Sequence, residues 1–98
     1  MAIALAATWN PDAAKADGDV IGEEARKRGK DIMLGPGVHI MRTPLNGRSF
    51  EYLGEDPYLA SRLAVSYIRA VQSHGVASCV KHFAASSAAR TTTCSTRF

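Results

Sequence analysis

Acidic residues stop at Asp56, while Arg62, Arg69, Lys81, Arg90 and Arg97 follow with no carboxylate among them. A nucleic-acid surface clusters its basic groups on one face or in one run, and these are scattered singly. The net charge of +3 therefore does not indicate a nucleic-acid partner; an alternative reading places the balancing acids in a downstream segment. Long apolar runs are also missing. Ala2 to Ala7 is too short to span a bilayer and lacks a basic flank, so neither a membrane anchor nor a secretion signal is read. That leaves localisation open. Cys79 and Cys94 make no disulfide framework and no Cys-x-x-Cys pair, and Cys79, in an apolar run, reads as a small buried hydrophobe. His39 and His74 lack partners at metal spacing and read as a loop residue and a helix-end cation. No metal and no cofactor is implied.

With 98 residues the chain has room for one small domain, burying roughly 60–65 % of its unfolded surface. The clearest element is a helix over Pro57–His74. Asp56 is a good N-cap, Pro57 suits the first helical position, and Gly75 is placed to end it. Leu59, Leu63, Tyr67, Ile68 and Val71 form an apolar stripe with Ala60 and Ala64 beside it, opposite Arg62, Ser66, Arg69 and Ser73. An earlier helix, Pro11–Arg28, has Asn10 as cap, Gly29 as stop, and the pairs Glu23–Lys27 and Glu24–Arg28. Gly18 and Gly22 count against it. Residues 1–9 read as a short helix or turn.

After one glycine each helix runs into a short apolar segment, Asp31–Leu34 and Val76–Val80. Neither alternates, which predicts strands covered on both faces in a parallel sheet with outer helices. The rhythm is that of an α/β protein. Between Gly35 and Asp56 lies a connection much longer than the ~2–6 residues usual between such elements. It follows the carboxyl end of one strand, and Lys81-His82-Phe83 closes the next. Ligands bind at that edge in α/β sheets and barrels.

Gly35-Pro36-Gly37 reads as a tight turn, since the third glycine of a dinucleotide fingerprint and the lysine and hydroxyl of a P-loop are absent. Arg48 follows the turn signal Asn46-Gly47. Flanked by Phe50 and Tyr52 with Glu51, Glu55 and Asp56 nearby, its guanidinium is either a solvated charge or a fixed fork for sugar hydroxyls or carboxylates. Glu51, Glu55 and Asp56 evoke the paired carboxylates of glycoside hydrolysis. The simpler assignment makes Glu55 and Asp56 a helix N-terminal pair and Glu51 a partner of Arg48 or Arg42. Lys81 and His82, as neighbours on a strand, reach one pocket only where the backbone departs from regular geometry.

From Leu34 to Pro57, through Asn46-Gly-Arg-Ser-Phe-Glu51 and Glu55-Asp-Pro57, and again at Val80-Lys-His-Phe-Ala84, the sequence resembles the amino-terminal barrel domain of glycoside hydrolase family 3, β-glucosidase-like branch. The likeness covers about residues 2–85. It implies a partial (β/α)8 TIM-barrel fragment with parallel strands and outer helices. It also implies a retaining, exo-acting hydrolase that removes non-reducing terminal β-linked sugars, usually glucose. Arg48, Lys81 and His82 match the family's substrate-binding residues around the terminal sugar, and the match expects a cis Phe83–Ala84 peptide bond. His39 and Ser49 stand where asparagine is commoner.

The family's nucleophilic aspartate and acid/base glutamate find no match here, so no residue of this chain is assigned a catalytic role, and the chain alone is expected to be inactive. Residues 1–85 are taken as the barrel fragment, and 86–98, polar and without apolar periodicity, as a disordered or frame-shifted tail. Two alternatives stay open: a non-catalytic α/β module binding a small anion through Gly35–Gly37 and the basic residues, and a poorly folding product with open sheet edges. Sequencing the coding DNA should reveal family-like codons in another frame near residue 86; their absence from every frame removes the frame-shift idea.

Overall fold

Helix formation and strand pairing follow the local signals closely in the computed structural model, which describes residues 2–83. Helix α1 spans Ala2–Ala6. Helix α2 spans Pro11–Lys27, where the Asn10 side chain accepts the Asp12 N–H at 2.9 Å and Arg28 is the C-cap. Strand β1 is Ile32–Met33, helix α3 is Pro57–Ser73, and strand β2 is Ala77–Ser78. The Asp56 carboxylate accepts the N–H groups of Tyr58 and Leu59 at 2.8 and 3.3 Å, satisfying two donors that the first turn would otherwise leave bare. Gly29 and Gly75, just beyond the two caps, take φ of +66° and +72°, the left-handed exit that glycine adopts without penalty. Among the described residues no helix is long and apolar enough to cross a membrane.

The two strands pair in parallel, Ile32 with Ala77 and Met33 with Ser78, and α3 is the crossover between them. Beyond β1 the chain bends at Gly35, whose N–H donates to Met33 C=O at 3.1 Å, and passes through a cis Gly35–Pro36 bond. It pairs again with the chain just beyond β2, in a parallel bridge between Gly37 and Lys81. The Gly-Pro-Gly segment is thus a bend that continues the pairing with one extra residue on the β1 side. A second cis bond joins Lys81 to His82. The expected cis bond at Phe83–Ala84 and the boundary at residue 85 lie outside the described residues.

Both helices cover the same face of the strand pair. Tyr67, Val71 and Val76 are buried together, with Ile21, Ala25 and Met33 packed against them. Leu53, Ala60, Leu63 and Ala64 form a second cluster with Ala6 and Ala14. The expectation of strands covered on both sides is corrected here. Ile32 and Leu34 are 62 % and 64 % exposed, and Cys79 is exposed rather than buried. Strand residues alternate between faces, so Met33 and Val76 meet the helices while Ile32, Leu34, Ala77 and Cys79 face away. In a closed barrel the face opposite the helices is filled by side chains from the other strands.

Gly18 and Gly22, which count against α2 on propensity, are the positions where α3 approaches. A Cβ at Gly18 would lie 2.6 Å from Tyr67 O and 2.9 Å from Ala70 Cβ; one at Gly22 would lie 3.0 Å from Val71 Cα. Helix propensity alone would make Gly18→Ala stabilising by about 1 kcal/mol. The contact reverses the sign. Gly18→Ala should lower stability by about 1–3 kcal/mol through overpacking, read as a fall in the urea midpoint; a rise would show that the helices part without cost.

Candidate functional site

A glycine seats the long connection on the strand end. A Cβ at Gly37 would meet Glu51 O at 2.8 Å and the Tyr52 ring at 3.0 Å, so residues 51 and 52 lie directly on the backbone that bridges to Lys81. The connection reaches that seat through a 3-10 turn over Ser49–Glu51, led in by the Asn46 side chain, which accepts the Arg48 N–H at 2.9 Å. Three residues per turn bring positions i and i+3 onto the same side. Arg48 accordingly donates through Nε and Nη2 to the two oxygens of Glu51, at 2.5 and 2.7 Å, a bidentate fork on a carboxylate. Of the two arginines open to Glu51 on sequence grounds, Arg48 is the partner. Lys81 Nζ stands 3.9 Å from the same carboxylate. One acid therefore gathers two cations from segments far apart in the chain.

The hydrogen bond from Arg48 holds the Glu51 carboxyl below the usual range, against some burial, and the charges of Arg48, Lys81 and His82 add to it. Arg48 is pushed up in turn, first by that hydrogen bond and then by the charge of Glu51.

Sequence reasoning missed two contributors. The Tyr52 hydroxyl lies 2.8 Å from His82 Nδ1, and the Tyr52 ring rests 4.8 Å from the ring of His39. Tyr52 and His39 are each only 4 % exposed. His39, read as a loop residue, does lie in the connection, but its ring is buried in this stack. A buried tyrosine usually finds a partner for its hydroxyl; that rule could have prompted the search, though not the choice of His82. His74 is the C-cap of α3, and its Nε2 sits 3.4 Å from Asp19.

Arg48, Lys81 and His82 are thus tied to the adjacent residues 51 and 52 at the carboxyl end of the strand pair. A hollow of about 240 Å³ opens beside them, lined by Lys81 and Glu51 together with Gly35–Gly37, Asp17 and Tyr67. Arg48 and His82 are not among its lining residues; Arg48 keeps 54 % of its side chain exposed and His82 is exposed. Burial pushes the Tyr67 hydroxyl up, and the charge of Asp17 adds to that. The arrangement brings an arginine, a lysine and a histidine to one end of the strand pair, with the Arg48 fork fixed on Glu51.

Residues 1–95 match the glycosyl hydrolase family 3 N-terminal domain. The chain belongs to that family. It is 69 % identical over 80 residues to a beta-glucosidase of Bacteroides ovatus, and 51 % identical over 84 residues to thermostable beta-glucosidase B of Acetivibrio thermocellus. These alignments cover 82 % and 86 % of the chain and 11 % of each relative. Beta-glucosidase 3B of Thermotoga neapolitana, solved in complex with glucose, superposes with a TM-score of 0.81 at 48 % identity, over 83 % of this chain and 11 % of that one. The family 3 chain thus spans about a tenth of the length of the relatives it matches. Its β1–α3–β2 unit, with α2 on the same face, is a partial α/β-barrel fold with parallel strands and outer helices.

The Arg48–Glu51 pair carries a pH signature. A carboxyl held low in the folded state contributes its stability fully above the ordinary glutamate value of about 4.3 and loses it as pH falls through the lower folded value. The Glu51 side-chain carbon resonance should therefore titrate below that value, and Arg48→Ala should move its midpoint upward. An unmoved midpoint in R48A would mean that the fork does not form in solution.

Proposed function

We propose that this chain carries part of the glycone subsite of a retaining, exo-acting β-glucosidase-like hydrolase, with Arg48, Lys81 and His82 donating hydrogen bonds to hydroxyls of the terminal sugar. The observation that carries this reading is the gathering of all three on neighbouring residues: Arg48 and Lys81 on Glu51, and His82 on Tyr52. Donors fixed before the sugar arrives lose less freedom on binding it than free side chains would. In a whole hydrolase such bonds speed the reaction where they strengthen as charge develops on the ring. The glucose-bound relative, whose backbone superposes on this chain, supports a sugar as the ligand class.

The anion-binding alternative fares worse on charge. Asp17 and Glu51 both line the hollow beside Gly35–Gly37, against the single ammonium of Lys81. With Arg48 forked on Glu51, a free anion there meets no net positive charge.

Titrating the 98-residue chain with glucose should perturb amide resonances at residues 48–52 and 80–83, and inorganic phosphate should not. Lys81→Ala should weaken the glucose response by about tenfold, the loss expected of a charge-assisted hydrogen bond. An aryl β-glucoside should show no turnover with the purified chain. Perturbation by phosphate alone, or measurable turnover, would overturn the assignment.

A further inference from the structure

The sugar-binding reading uses His82 but leaves its partner without a role. We propose that Tyr52 is a positioning residue: its hydroxyl donates to His82 Nδ1 and so fixes the imidazole in the tautomer whose Nε2 carries the proton. The inference rests on the proposed function only for the use of that proton, as a donor to a sugar hydroxyl.

Three observations support it. The Tyr52 oxygen and His82 Nδ1 are 2.8 Å apart, a full hydrogen bond. The phenol is held on two sides, by the backbone of Gly37, where a Cβ would approach its ring to 3.0 Å, and by the ring of His39 at 4.8 Å. It is also buried while His82 is exposed, so the tyrosine is the fixed member and the histidine the one being oriented. The direction of the bond follows from the two groups. A phenol is the better proton donor, and the lone pair of a neutral imidazole nitrogen is a strong acceptor. The bond made by one ring nitrogen sets which nitrogen keeps the proton. Nε2–H is then left as the outward donor.

The test is the tautomer of His82 in the 98-residue chain, read from long-range proton–nitrogen correlations of its ring at about pH 8, where an ordinary imidazole is neutral. The wild type should show Nε2 protonated and Nδ1 bare. Tyr52→Phe keeps the ring and its stacking on His39 while removing the hydroxyl, and the ratio of Nε2–H to Nδ1–H forms should fall about five- to tenfold. Three results would overturn the proposal: a wild-type ring protonated at Nδ1, a ratio unchanged in Y52F, or a wild-type chain without dispersed amide resonances, since the pair exists only in the folded state. The tautomer is read without sugar, so a failed glucose titration would count against the subsite and not against this bond.

Discussion

The close seating of residues 51 and 52 on Gly37 is the constraint from which the site follows. The first strand's extension, the 3-10 turn and the end of the second strand are three separate stretches of chain. They meet because position 37 has no side chain to hold Glu51 O and the Tyr52 ring away. Once the turn rests there, Glu51 lies within reach of Lys81, and Tyr52 lies within reach of His82. Two adjacent residues thereby organise two adjacent residues from the other strand.

The same logic of missing side chains governs the outer layer. Gly18 and Gly22 let α2 settle on the backbone of α3, and that contact places both helices over one face of the strand pair. With the helices fixed, the carboxyl ends of β1 and β2 and the connection between them form the edge at which other α/β architectures bind ligands. A helix that looks weak by propensity is kept because its glycines serve packing. Intrinsic preference is a prior that tertiary contact overrides.

Much of the frame was legible because its causes are local. Asn10, Asp56, the two prolines and the glycines at 29 and 75 bound helices within one residue of the observed ends. The Arg48–Glu51 fork was half legible. The two residues were named together, but choosing Arg48 over Arg42 required knowing that a 3-10 turn brings residues three apart to one side. Cys79 shows the opposite limit. An apolar neighbourhood in sequence says nothing of which face of the strand is covered, and its side of the strand is exposed.

Sequence by itself determined the helices, the strand–helix–strand rhythm and the family, since each is written in short-range pattern or in a motif; it also singled out Arg48, Lys81 and His82 as candidates. Tertiary structure alone decided that Lys81 joins Arg48 at Glu51 and that buried Tyr52, backed by His39, meets His82. The contacts of Glu51 with Lys81 and of Tyr52 with His82 join positions about thirty residues apart, and only the packed course of the chain between them sets which distant side chains meet.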